Sequence, residues 1–172
     1  MLSAFREGIP GGWRETTVSA FSLAPLPCDD CRYCYHADGC SKPDLKEFYA
    51  ELEEADGLLL VTPVYNRSFP APLKALLDRT QRYWAARFIR GIRPPVDRPK
   101  QVFLLTASGA ESGEEGEATR DQALLEQQLL PTLTILNARL RTAVHYTGAD
   151  RGQEITPYLA AARAVAGELE QQ

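Results

Sequence analysis

The 172-residue sequence lacks three features that would define its class at once. It contains no run of about 18 apolar residues, so we expect no membrane span. It lacks the basic surplus of a nucleic-acid-binding domain, because its net charge is −4. Its opening residues lack a basic region followed by an apolar run, so we expect no secretory signal there. These absences predict a cytoplasmic protein with neither a membrane nor a nucleic-acid partner.

Cysteine is also absent, except within one stretch of thirteen residues. That stretch, "CDDCRYCYHADGC", contains Cys28, Cys31, Cys34 and Cys40. In a reducing compartment, clustered cysteines are more often metal ligands or redox groups than structural disulfides. Two intervals of three favour an iron–sulfur cluster, whereas zinc sites usually use two separated pairs. An iron–sulfur cluster, a zinc site and a role for free thiols therefore all stay open, with His36 as a ligand or a bystander.

The hydrophobic pattern alternates between strands and helices along a single domain, 1–172. Strands are predicted at 15–23, 57–65, 101–109 and 142–148, and helices at 44–57, 70–88, 119–140 and 158–169. We expect Pro131 to kink or divide the third of these helices. The second and third strands are apolar on both faces, as buried parallel strands are. The sequence thus predicts an α/β fold with a parallel sheet between two helix layers.

Ligands of such sheets bind at the carboxyl ends of the strands. That rule selects "TPVYNRSFP" (62–70) and "TASGAESGEEGE" (106–117). The first loop offers backbone polar groups and Tyr65, whose ring can stack on a planar heterocycle. A plain strand-to-helix turn is the alternative for this loop. We predict that the acidic segment 111–117 is an exposed loop or a lid, and that His145 is a hydrogen-bonded core residue.

A longer stretch combines these motifs. "CDDCRYCYHADGCSKPDLKEFYAELEEADGLLLVTPVYNRSFPAPLKALLDR" resembles the iron–sulfur flavoprotein branch of the NAD(P)H-dependent flavin reductases. The resemblance implies a flavodoxin-like, doubly wound parallel sheet in three α/β/α layers. It also implies an oxidoreductase that takes electrons from NAD(P)H through FMN to a small acceptor or to a [4Fe–4S] cluster, in a homodimer or homotetramer.

The resemblance also assigns residues. The loop beside the flavin ring would comprise Thr62, Pro63, Val64, Tyr65 and Asn66; the second flavin loop Thr106, Ala107, Ser108 and Gly109; the cluster ligands Cys28, Cys31, Cys34 and Cys40. We assign no catalytic side chain, because the redox chemistry belongs to the cofactor. The alternative function is a flavin-free metal-binding or interaction module on the same scaffold.

One part of the family pattern has no counterpart here. The family begins with a strand and a "GSpRknGNT" loop whose backbone N–H groups hold the FMN phosphate. In this sequence "MLSAFREGI" matches the helix that follows, so the first strand and the phosphate loop are missing. The strand 15–23 could pair with 57–65, a neighbouring subunit could fill the gap, or the natural start could lie upstream. We favour the third explanation.

Overall fold

The computed structural model describes residues 1–109 and 117–170 of the chain. Its strands are β1 (Gly57–Pro63), β2 (Lys100–Ala107) and β3 (Ala138–Tyr146). Its α-helices are α1 (Leu2–Gly8), α2 (Ala20–Leu23), α3 (Tyr33–His36), α4 (Lys46–Glu54), α5 (Ala71–Asp78), α6 (Gln81–Phe88), α7 (Glu117–Ile135) and α8 (Thr156–Ala166). Two short 3-10 turns cover Pro43–Leu45 and Ala149–Arg151.

The described strands form one parallel sheet in the order β1-β2-β3. Parallel neighbours in a sheet need long connections, and here each connection contains helices. Because both faces of β2 are buried, apolar residues follow one another along it without a polar alternation. The predicted parallel α/β sheet is therefore confirmed.

Helices cover the sheet on both faces. On one face α1 and α8 pack on the sheet, where the ring of Phe5 lies edge-on to Phe103 with centroids 5.5 Å apart. On the other face α7 contributes Leu125, Leu129 and Leu133 to a cluster with alternate residues of β2. Burying large apolar side chains on both faces contributes roughly 1.5–3 kcal/mol for each one. This arrangement confirms the predicted three layers, and α1 confirms the helix expected in "MLSAFREGI".

The predicted strand at 15–23 is wrong. Residues 14–19 have no regular structure, and α2 follows them directly. The side chain of Ser19 caps α2 by accepting a hydrogen bond from the Ser22 N–H at 3.2 Å, and Thr16 Oγ1 donates to Glu51 Oε2 at 3.0 Å. The segment therefore does not pair with β1, which was the first of the three explanations for the missing strand.

Two predicted helix boundaries also differ. The helix predicted at 70–88 is divided between α5 and α6, and the helix predicted to reach residue 140 ends at Ile135. Pro131 lies inside α7 without dividing it, and three residues later Thr134 Oγ1 donates to the Leu130 carbonyl at 2.8 Å. Asn137 then adopts a positive φ of 53°, which turns the chain directly into β3. None of the described helices is both long and apolar enough to cross a membrane.

Candidate functional site at the carboxyl edge of the sheet

The loop after β1 is a tight turn that presents an aromatic side chain. Tyr65 and Ser68 exchange two backbone hydrogen bonds, of 3.0 and 2.9 Å, around Asn66 and Arg67. Both central residues have positive φ, 50° and 60°, as a type I′ turn requires. The Tyr65 side chain is 54% exposed at this turn. An exposed aromatic ring on a rigid turn is suited to stacking on a planar ligand.

The loop after β2 lies directly beside this turn. The Val64 N–H donates to the Ala107 carbonyl at 2.8 Å, and the Ser108 N–H donates to the Tyr146 carbonyl at 2.8 Å. Gly109 then passes so close to Asp150 that a Cβ at this position would lie 2.0 Å from the carboxylate. The two predicted flavin loops therefore meet at one edge of the sheet. Residues 110–116, which include all of the predicted acidic segment 111–117 except Glu117, lie outside the described residues, and Glu117 begins α7.

A row of polar side chains crosses the sheet just below this edge. Thr62, Thr106 and His145 occupy matching positions on β1, β2 and β3. His145 Nδ1 lies 2.7 Å from Thr106 Oγ1, and its Nε2 lies 3.4 Å from Glu126 Oε1 on α7. Burial lowers the pKa of His145, and the neighbouring Glu126 opposes this only in part. His145 is thus a partnered, neutral imidazole at neutral pH, as the sequence predicted for a core residue.

The cysteine segment lies apart from the two loops, against α6. All four cysteines are free thiols; Cys28 and Cys31 are exposed, whereas Cys34 and Cys40 are half-buried. Cys31 Sγ lies 3.2 Å from Ser41 Oγ. Burial raises the pKa of Cys34, and the other three cysteines raise it further, because charged thiolates close together repel.

The four thiols are not arranged as a metal site in the structure. Within 1–109 and 117–170, no group of three or more Cys, His, Asp or Glu side chains is gathered closely enough to hold a metal ion. The assignment of Cys28, Cys31, Cys34 and Cys40 as ligands therefore stays a prediction. We derive no reaction step through a metal cluster.

A buried arginine binds the residues that flank the cysteine segment on both sides. Arg79, whose side chain is 1% exposed, donates to the Leu26 carbonyl at 2.7 Å and to the Lys42 carbonyl at 3.1 Å. It also donates to Asp44 Oδ1 at 2.9 Å, while Asp44 Oδ2 accepts from the Leu26 N–H. Burial opposes ionisation of Asp44, but these hydrogen bonds outweigh it and hold its pKa below the ordinary value.

Sequence reasoning missed Arg79 and Glu126 as structural partners of the candidate sites. The only local signal for Arg79 was its place in "LLDR", directly after an apolar helical pattern. Glu126 gave no signal, because its contact with His145 depends on how α7 lies across the sheet.

The fold defines a flavodoxin-like α/β protein, and the two predicted ligand loops meet at the carboxyl edge of its parallel sheet. The NADPH-dependent FMN reductase family model matches residues 5–141, so the chain belongs to that family. The resemblance inferred from the cysteine segment and "TPVYN" is thereby confirmed.

Individual relatives agree with this assignment. An iron–sulfur flavoprotein of Archaeoglobus fulgidus is 34% identical over 129 residues, which are 73% of this chain and 58% of the relative. An NAD(P)H:quinone oxidoreductase structure from Methanothermobacter marburgensis has a TM-score of 0.77 at 23% identity, covering 99% of this chain and 87% of the other. An FMN-dependent NADH-azoreductase of Bacillus anthracis in complex with FMN has a TM-score of 0.59 at 17% identity, covering 97% and 84%.

The similarity to these two solved structures supports only the fold. The chain spans between 37% and 58% of the length of the first three curated relatives that it matches.

Proposed function

We propose that the protein is a flavin-dependent NAD(P)H oxidoreductase that acts on a small-molecule redox substrate in the cytoplasm, as a homodimer or homotetramer. The observation behind this proposal is the meeting of two loops at the carboxyl edge in a chain of the FMN reductase family. The curated relative from Archaeoglobus fulgidus is named an iron–sulfur flavoprotein, which agrees with a flavin-dependent activity.

The residues at the edge are suited to FMN. Tyr65 presents an exposed ring to a planar partner, and the turn Pro63–Asn66 lies beside the loop Thr106–Gly109 at the same edge of the sheet. FMN, when bound, supplies hydride transfer from reduced nicotinamide and onward electron transfer. The chain's own part is to bind and orient the ring and to keep the neutral His145 beneath the site.

The phosphate of FMN has no glycine-rich loop to hold it in this sequence. Each lost hydrogen bond to a charged group costs roughly 1.5–3 kcal/mol, and every 1.4 kcal/mol is about a tenfold loss of affinity. We therefore expect FMN to bind this chain weakly, through its ring.

Titration with FMN under anaerobic conditions, followed by flavin fluorescence, tests the proposal. Because an aromatic stack contributes about 0.5–1.5 kcal/mol, we expect Tyr65→Ala to raise the Kd about 2- to 10-fold. Tyr33→Ala, which removes a similarly exposed tyrosine outside the loops, is the control and should leave the Kd unchanged. Equal effects of the two substitutions, or no binding of FMN by the unaltered chain up to about 1 mM, would contradict the proposed function.

We further propose that Cys28, Cys31, Cys34 and Cys40 bind a [4Fe–4S] cluster when iron and sulfide are supplied. The proposal rests on four free thiols held in one segment, and on the name of the curated relative. Anaerobic reconstitution should give a brown protein that loses its iron–sulfur absorbance in Cys34→Ser and keeps it in Ser41→Ala. A colourless protein with one bound zinc would instead support the flavin-free metal-binding module.

A further inference from the structure

Helix α7 holds the far end of the turn that carries Tyr65. Main-chain hydrogen bonds attach the start of this turn to the sheet, whereas side chains of α7 contact its last two residues. Ser68 Oγ donates a hydrogen bond to Gln128 Oε1 at 2.9 Å. Arg67 Nε lies 3.3 Å from Asp121 Oδ1 in an ion pair. The end of the turn is therefore bound to a helix that lies far along the chain.

The two contacts lie on the face of α7 that packs on the sheet. Asp121 and Gln128 are seven positions apart, which is close to two helical turns, so they share one side of the helix. Leu125, between them on that side, is fully buried in the cluster that also contains Phe69. Phe69 directly follows the turn, so a buried apolar side chain accompanies the two polar contacts. Three consecutive residues, 67–69, thus fix the chain against α7.

Arg67 does not take up its conformation by local preference. Its φ of 60° lies in the left-handed region, where the Cβ of a non-glycine residue comes too close to the following carbonyl oxygen. Asn66, with a φ of 50°, is of a residue type that tolerates this region, whereas arginine is not. Such conformations persist where surrounding contacts impose them, and they are concentrated at ligand sites. The ion pair with Asp121 is a contact of this kind.

The same ion pair meets a need of Asp121. The Asp121 side chain is 13% exposed, and its buried Oδ1 accepts no hydrogen bond from residues 1–109 or 117–170. A carboxylate withdrawn from water in this way needs a compensating positive charge. The guanidinium of Arg67 supplies that charge. Both partners therefore favour the geometry in which the end of the turn lies against α7.

We propose that Asp121 and Gln128 are positioning residues, which fix the direction in which the Tyr65 ring faces a planar ligand. They act through the two turn residues that they hold. The Tyr65 side chain is 54% exposed, so the backbone of the turn, rather than packing around the ring, sets this direction. The choice of the FMN ring as the planar ligand rests on the proposed function.

A double-mutant cycle with Tyr65 tests this role. The variant Asp121→Asn/Gln128→Leu removes the ion pair and the hydrogen-bond acceptor while keeping side chains of similar size. We expect it to raise the Kd for FMN about 2- to 10-fold, which is the range for losing a stacked ring. In a Tyr65→Ala chain the same two substitutions should leave the Kd unchanged, because residues that act through one another have non-additive effects. A merely structural role would raise the Kd by the same factor in both chains.

Hydrogen exchange at the turn tests the same contacts without a cofactor. The Tyr65 and Ser68 amides bond to each other's carbonyls, so their exchange rates report whether the turn stays closed. We expect Asp121→Asn/Gln128→Leu to speed both rates severalfold and to leave the amide of Leu104, in the central strand, unchanged. Gln128→Leu alone should speed exchange at Ser68, whereas Gln128→Glu, which keeps an acceptor for the Ser68 hydroxyl, should not.

The matched control is Asp78→Asn/Gln127→Leu. It removes an exposed ion pair with Lys74 on α5 and an exposed glutamine of α7, so it repeats the same chemical changes outside the two contacts. Neither the Kd for FMN nor the exchange rates of the two turn amides should change in this variant.

The outcomes separate this proposal from the proposed function. If FMN failed to bind the unaltered chain while the turn amides exchanged faster in Asp121→Asn/Gln128→Leu, the flavin function would be wrong and the role of the two residues in holding the turn would stand. Unchanged exchange in that variant would overturn the proposal. An equal rise of the Kd with and without Tyr65 would overturn it as well.

Discussion

The two candidate functional regions are held in place by different means. The loops at the carboxyl edge are positioned by main-chain hydrogen bonds that continue the sheet, such as the one from Val64 to Ala107. The cysteine segment has no sheet or long helix of its own, and side chains bind the residues that flank it: Arg79 at Leu26 and Lys42, and Lys42 at Pro27. We therefore expect the loss of one buried side chain to disturb the second region more than the first.

The largest expected effect comes from Arg79→Met. Removing one partner of a buried ion pair costs about 3–5 kcal/mol, because Asp44 and two carbonyls lose their donors. Urea unfolding should show this loss, and a thiol reagent should react faster with Cys34. The control is Arg98→Met, which removes an exposed ion pair with Asp56 and should cost less than about 1 kcal/mol. If Arg79→Met lowered the free energy of unfolding no more than the control, the proposed role of Arg79 in holding the cysteine segment would be wrong.

A smaller effect is expected at the carboxyl edge, from Gly109→Ala. The new methyl group would overlap the Asp150 carboxylate, which must move, at a cost of about 1–3 kcal/mol in the free energy of unfolding. The Kd for FMN should rise with it. Gly11→Ala, where a Cβ meets open space, is the control that should change neither quantity. Retention of both values in Gly109→Ala would show that the second loop adapts freely.

The smallest effect concerns pH. Because the folded pKa of His145 lies below its ordinary 6.5, its neutral form is favoured by folding. This contribution is complete above pH 6.5 and is lost as the pH falls toward the folded pKa. Urea unfolding between pH 7.5 and pH 5 should therefore show a fall in stability that is smaller in His145→Gln.

The pH effects separate the two regions. Asp44 has a depressed pKa, so its contribution is lost only in more acidic solution, below its ordinary 3.8. An identical pH profile in His145→Gln and in the unaltered chain would show that the imidazole contributes nothing.

Much of the fold was predictable from local pattern. The helices around Phe48 and Leu159 and the strands containing Leu59 and Leu104 follow from hydrophobic periodicity, which a sequence displays directly. The strand at 15–23 was predicted wrongly because its alternation is a genuine strand pattern. What that pattern could not reveal are the contacts that the segment makes instead: Ser19 caps α2, and Thr16 bonds to Glu51 on α4.

The sequence by itself determined the grouping of the four cysteines, the two edge loops and the family pattern, because each depends on residues close together in the chain. Only the tertiary structure decided that Arg79 reaches Leu26, 53 positions away, and that Thr106 and His145 share a register. The cavity of about 800 Å³ along β1 also exists only in the tertiary structure. Contacts between distant residues depend on how the layers pack, and no local period in the sequence encodes that packing.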